Sequence, residues 1–391
     1  MSSPAMRSRT AHPHPAAAVR GLLLAALVIA AAACSVAPAP DSSPVPEPAP
    51  APAPRAAVEL LGTAQLAPDD GSAARLGGLS GLAWAGGDEF VAISDDKAHH
   101  GPVRFYRLEV GWSDGGGVRV APPAWTELRT ATGETLPSEG SDCEAIAVAP
   151  DGSLWVSTEG WIERGIAPWI ASFDPAGRQL SALPLPAGFA PAADGSAGVR
   201  DNLGFEALDL TPDGRYLFAG IENALVQDGP STLEGKASPA RLLRYDFTSR
   251  QWDGAWIYLV DAPHAVPAPG DFRVGGLVEL VALDPENLLA LERSYVKDHG
   301  NQVRLFRVRL ADAEEVSGRE ALAGAPLPRP VAKELLLDLG TLGIEMDNYE
   351  GMALGRELAD GRRLLLIVSD DNFSPEQANR LLLFAVDPAV L

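Results

Sequence analysis

Acidic side chains recur in this chain at both ends of paired apolar runs. In "SDCEAIAVAPDGSLWVSTEG", residues 141–160, Glu144 opens the first run and Glu159 follows the second. Glu206 and Glu222 bracket "GFEALDLTPDGRYLFAGIEN", and Glu279 and Glu292 do so in "LVELVALDPENLLALERSY". Glu350 precedes Asp370 and Asp371 in "NYEGMALGRELADGRRLLLIVSDDN", whereas "LSGLAWAGGDEFVAISDD" has Ser80 in place of the first acid, then Asp95 and Asp96. Carboxylates that converge must share protons, pair with bases or bind a cation. Hard divalent cations, Ca²⁺ first, prefer such oxygen ligands.

The elements that position these acids repeat. Ser80, Glu144, Glu206, Glu279 and Glu350 are 64, 62, 73 and 71 residues apart. The 41 residues after Glu350 and the 23 from Ala57 to Ser80 together make one more period. A period of this length with apolar runs and Pro-Asp-Gly turns predicts four-stranded antiparallel units. No helix pattern of domain size is present. The expectation is an all-β propeller of five blades, six being the alternative because the longer units hold insertions. The last unit has only three strands, so residues 57–66 should supply its outer strand and close the ring.

In such a blade the start of the first strand and the end of the second lie at one rim. That predicts Glu144, Glu206, Glu279 and Glu350 near the axis, with Asp95, Glu159, Glu222, Glu292 and Asp370 just outside. Of these, Glu144, Glu206, Glu279, Glu350, Asp95, Glu222 and Asp370 are candidate cation ligands. Glu159 and Glu292 are candidate general bases. The loops after the second acids carry Lys97, Arg293 and Asn372, suited to an anionic substrate, besides His99, His100, Lys297, His299, Gln377 and Arg380. The competing expectation is that each acid accepts backbone N–H groups or pairs with arginine inside its own blade. No nucleophile elbow, phosphate-binding glycine loop, Cys-x-x-Cys pair or zinc-ligand spacing occurs.

The chain has 391 residues and a net charge of −21, which argues against nucleic acid and anionic membrane surfaces as partners. Arg7, Arg9 and Arg20 precede or flank an apolar run over residues 21–33, too short to span a bilayer and suited to a signal peptide. The run ends in "AAAC", which resembles a bacterial lipobox with Ala31 where Leu is usual. Cys34 would then be lipidated, and Ser35 implies the outer membrane. Ordinary signal cleavage, giving a secreted or periplasmic protein, is the alternative. Removal of residues 1–33 takes away three arginines and no acid, leaving −24. Residues 34–56 are rich in alternating Pro and Ala, an extended tether, so the expected domain is 57–391. Membrane contact is expected through the lipid alone. Cys143, between Asp142 and Glu144, reads as a small buried residue, since flanking carboxylates suppress the thiolate.

The motifs "GGLSGLAW", "SDCEAIAVAPDGSLWVSTEG", "NLGFEALDLTPDGRYLFAGIEN", "LLALERSY", "DNYEGMAL" and "LLLIVSDDNF" resemble, in order, those of the phytase-like family described as "esterase-like activity of phytase". The family's Glu-Gly is Glu-Ala here, at Ala145 and Ala207. The resemblance implies a secreted or envelope protein with hydrolase activity on ester or phosphoester bonds, and it assigns no catalytic residues. A more distant similarity is to regucalcin-like lactonases, propellers with an axial divalent metal. Two functions follow as expectations: a metal-assisted hydrolase of a small anionic ester or phosphoester, or a non-catalytic binding lipoprotein. The sequence leaves the oligomeric state open.

Overall fold

Unbroken apolar runs such as "LLLIV" and "LLLFAV" can be buried only if both faces of a strand are covered. Stacked sheets around an axis supply that cover. The chain divides into Met1–Ala53 and Pro54–Leu391. The computed structural model describes residues 56–67, 75–113, 117–138 and 140–391, all within the second unit. The signal run, Cys34 and all but the last tether residue lie outside the described residues.

Five antiparallel sheets follow one another. β1 (Val58–Gln65) is set aside for the last of them. Blade one holds β2 (Leu79–Gly86), β3 (Glu89–Ser94) and β4 (Arg104–Ser113). Its outer position is shared by β5 (Gly117–Val120) and β6 (Ala124–Glu127), both paired to β4. Blade two runs β7 (Cys143–Val148), β8 (Leu154–Thr158), β9 (Ile170–Phe173), β10 (Gln179–Leu183). Blade three runs β11 (Phe205–Leu210), β12 (Tyr216–Ile221), β13 (Ser238–Asp246), β14 (Gln251–Val260). Blade four runs β15 (Arg273–Ala282), β16 (Asn287–Val296), β17 (Gly300–Arg309), β18 (Ala332–Asp338). Blade five runs β19 (Asn348–Glu357), β20 (Arg363–Asp370), β21 (Arg380–Val386), and its fourth strand is β1, antiparallel to β21 from Val58↔Val386 to Gln65↔Arg380. The fold is therefore a five-bladed β-propeller closed by its two terminal strands, with four short 3₁₀ turns as its only helix among the described residues.

The core lies between blades. Ile93 and Phe105 of blade one meet Ile146, Val156 and Phe173 of blade two. Leu289 and Leu305 of blade four meet Ile367, Leu382 and Phe384 of blade five. Each such side chain, fully buried, is worth about 1.5–3 kcal/mol. The five inner strands β2, β7, β11, β15 and β19 contact each other around the axis.

One local feature sets the site. Near its start every inner strand carries a β-bulge, one residue more than its partner. In register, the extra position holds Ser80, Glu144, Glu206, Val278 and Glu350 in blades one to five. The bulge re-aims that side chain toward the axis. Blade four departs from the expectation: Val278 takes the bulge, and Glu279 follows it, paired with Leu291. Alternation along β16 shifts in step. Gly276↔Arg293 in blade four corresponds to Asn348↔Asp370 in blade five, so Arg293 stands where the other blades have Asp95, Glu159, Glu222 and Asp370.

Candidate active site

The bulged carboxylates and the second acids open into one cavity of about 760 Å³ at the rim. Asp95, Lys97, Glu144, Glu159, Glu206, Glu222, Arg293, Glu350, Asp370 and Asn372 all line it. Glu279 and Glu292, expected among them, do not. Glu279 is 0% exposed inside the ring. Its carboxylate accepts the N–H groups of Leu280 at 3.0 Å, Leu82 at 3.2 Å and Leu208 at 3.5 Å, so it joins three blades across the axis. Glu292 faces away, accepting from Tyr258 Oη at 2.7 Å and Lys333 Nζ at 2.5 Å. For these two, the competing expectation of internal partners describes the geometry. Both misplacements follow from the one-residue slip, since side chains alternate with period two.

Asp142, read from sequence only as a neighbour of Cys143, belongs to the floor. It lies opposite Glu159, whose N–H bonds its carbonyl at 3.1 Å. The signal that could have found it is its position, two residues before the bulged Glu144 and facing the second acid. Cys143 itself is fully buried, and burial pushes its thiol well up.

Four of these carboxylates are held by one oxygen. Ser80 Oγ donates to Glu144 Oε2 at 2.7 Å, and the N–H of Gly204 donates to Glu159 Oε1 at 2.6 Å. Lys97 Nζ lies 2.5 Å from Asp142 Oδ2. Arg293 donates to Glu350 Oε1 through Nε at 3.1 Å and also through a terminal nitrogen. Asp370 is held by both oxygens, Oδ1 accepting the N–H of Asn372 at 2.8 Å and Oδ2 the Asn348 Nδ2 at 3.5 Å. Glycine makes room for two of them: a Cβ at Gly276 would lie 2.2 Å from Glu222 Cγ, and one at Gly204 would lie 2.8 Å from Glu159 Cα. Beyond the second acids of blades one and five, the chain turns through two successive left-handed residues. These are Lys97 and Ala98 at φ +52° and +58°, and Asn372 and Phe373 at +45° and +51°. That conformation costs a non-glycine residue of order 1–3 kcal/mol, and here it brings Lys97 and Asn372 to the cavity.

Burial raises the pKa of Asp95 to about 7, with the Asp142 and Glu350 carboxylates adding to it. Glu222 rises to about 8 through burial, against the pull of Arg293. Burial and neighbouring carboxylates push Glu144, Glu159, Glu206 and Asp370 well above the usual range. Asp142 is also raised by burial, although Lys97 pulls it down. Burial opposes the charge on Arg293 and Lys97, and the carboxylates around them outweigh it. The imbalance is plain: twelve acids line the cavity against Lys97 and Arg293, each already ion-paired.

Two groups have the composition of a cation site. Oxygens of Asp142, Glu144 and Glu159 lie within 4.8 Å of one another, as do those of Glu159, Glu206 and Glu222. Asp142 Oδ1 and Glu222 Oε1 are buried with no hydrogen-bond partner. A buried carboxylate oxygen without a donor is costly, and a cation relieves that cost. The donor set, all oxygen, fits a hard divalent ion.

The other wall differs. Leu233 is 42% exposed and Phe272 56% exposed, and with Val274, Tyr295 and Met346 they give the blade-four side of the cavity an apolar face. Phe272 and Tyr295 lie with ring centroids 6.2 Å apart.

A family model described as "esterase-like activity of phytase" matches residues 74–373. The chain belongs to the phytase-like family. Among curated relatives, this phytase-like chain is 28% identical over 130 residues to an uncharacterized secreted protein of Arthroderma benhamiae. That match covers 27% of the chain and 24% of the fungal protein, so the chain spans about a quarter of that relative's length. Solved structures include the catalytic domain of a Coprinopsis cinerea GH62 α-L-arabinofuranosidase, at 10% identity and TM-score 0.43 over 84% of this chain and 98% of that one. A Bombyx mori GH32 β-fructofuranosidase matches at 13% identity and TM-score 0.37 over 85% and 62%. Among the described residues no helix is long and apolar enough to cross a membrane.

Proposed function

We propose that this phytase-like protein is a Ca²⁺-assisted hydrolase of small esters or phosphoesters, held at the bacterial envelope through Cys34. The observation that carries it is the buried carboxylate floor with two partnerless oxygens at the base of an accessible cavity. When bound, a hard divalent ion polarises an ester or phosphoryl oxygen and acidifies water.

The chain's residues supply the rest. Asp95 stands outside both oxygen groups, lines the cavity and titrates at about 7, close to the value that suits proton transfer at neutral pH. It takes the general-base role expected, from the sequence, of Glu159 and Glu292. Asp95 accepts a proton from water as the water oxygen bonds to the carbonyl carbon or phosphorus. The bond to the leaving alkoxide breaks, and the alkoxide takes that proton back. Asn372 orients the anionic group. Because Lys97 and Arg293 are both engaged by carboxylates, the cavity has little positive charge to spare. It suits one anionic group on an apolar body, which Phe272, Leu233 and Tyr295 would cover, better than a polyphosphate.

The test is hydrolysis of p-nitrophenyl butyrate, p-nitrophenyl phosphate and inositol hexakisphosphate by the purified protein, in Ca²⁺ and in chelator. The expected result is turnover of an aryl substrate in Ca²⁺, lost in chelator and reduced at least 100-fold in Asp95→Asn. Absence of turnover on every substrate would leave a binding protein. Anchoring is checked separately: radiolabelled palmitate should mark the wild type and not Cys34→Ala, and an unlabelled wild type would sink the anchor.

A further inference from the structure

The two oxygen groups share one member. Asp142 and Glu144 belong only to the first, Glu206 and Glu222 only to the second, and Glu159 to both. Each group also has its own buried oxygen without a hydrogen-bond donor, Asp142 Oδ1 in the first and Glu222 Oε1 in the second, the latter with only the Arg293 guanidinium at 3.9 Å. A single cation placed among Asp142, Glu144 and Glu159 leaves the Glu222 oxygen unrelieved, and the converse holds for the other group. We propose that the cavity floor binds two divalent cations side by side, with Glu159 as the carboxylate common to both.

Charge points the same way. The five carboxylates of the two groups carry five negative charges when ionised. Lys97, at 2.5 Å from Asp142, offsets one. Arg293 is hydrogen-bonded to Glu350 and reaches Glu222 only at 3.9 Å. One divalent cation therefore leaves two of these charges to be met by protons, and two divalent cations leave none. The carboxylates are also prepared as ligands, because Ser80 fixes Glu144 and the Gly204 N–H fixes Glu159 by one oxygen each. Three carboxylates per ion fall short of the roughly 6–8 oxygens that Ca²⁺ takes, so each ion keeps positions for water and substrate oxygen. This inference rests on the cation reading of the same floor.

Equilibrium dialysis of the purified protein against ⁴⁵Ca²⁺ counts the ions directly, without any substrate. The wild type should bind two per chain. Asp142→Asn and Glu222→Gln should each bind one, while Glu159→Gln should weaken both by at least tenfold. A wild type that binds one ion overturns the shared centre and leaves the cation reading standing; a wild type that binds none at millimolar Ca²⁺ overturns both. If Asp142→Asn and Glu222→Gln each abolish all binding, the floor is a single site. Because the wild-type count decides between one and two, a variant that fails to fold does not rescue the proposal.

Discussion

Asp209 Oδ2 accepts the N–H of Ala282 at 2.8 Å near the far mouth of the ring, on the opposite side of the buried Glu279 from the carboxylate floor. Burial raises its pKa from 3.8 to about 7, and its backbone hydrogen bonds only partly counter that. The sign is fixed by which state keeps the proton. Below pH 3.8 folded and unfolded chains both hold it, and nothing is lost. As the pH rises to about 7 the unfolded chain releases it while the folded chain retains it, so stability falls, and above 7 the whole cost is present. At roughly 1.4 kcal/mol per unit that cost is at most about 4 kcal/mol, reduced by the partial solvent contact of Asp209. Asn at this position keeps an oxygen for Ala282 and removes the charge. Asp209→Asn should therefore raise the melting temperature by several degrees at pH 8 and by clearly less at pH 5. Equal gains at both values, measured by calorimetry, would mean that Asp209 does not titrate between them.

β1 is the element on which the ring depends. Its pairing along β21 covers an edge that would otherwise expose the backbone of a strongly apolar strand. Deleting Val58–Gln65 should abolish cooperative melting or drive the protein into aggregates; an unchanged melting curve would make β1 a dispensable trim. Closure was legible in the sequence because the partial periods at the two ends add to a whole one. The blade count and ten of the cavity's residues were legible from the same repeat, as Glu144 and Glu206 keep one offset from the Pro-Asp-Gly turn that follows. Blade four was not. "LVELVALD" offers a glutamate one residue after the bulge, and apolar residues on both faces give no alternation to reveal the slip. Only the ladder shows that Val278 takes the axial place and that Glu292 turns away from the cavity that Arg293 reaches. The apolar wall was hidden too, because Leu233, Phe272 and Tyr295 come from three separate segments that share no motif.

At the scale of the molecule, twelve acids converge on one rim of a strongly acidic chain. Ions that bind the folded floor and find no preformed site in the unfolded chain stabilise the fold by mass action, by about 2.7 kcal/mol at a hundredfold excess over Kd for each site. Millimolar Ca²⁺ should raise the melting temperature by a few degrees over chelator at constant ionic strength, and Mg²⁺ by less, since it gives up its water shell reluctantly. Identical curves in Ca²⁺ and chelator would argue that protons alone neutralise the floor. The closure of the last blade bears on time as well as on stability. Val58 pairs with Val386, so the final sheet joins segments more than three hundred residues apart. Contacts so distant in sequence form late, because the loop they close must first be ordered. Blades one to four can therefore assemble as the chain emerges, while the ring shuts only after the last strand is free, and refolding of the intact protein should end in a slow phase that slows further when the β1–β21 pairing is weakened by Leu60→Ala.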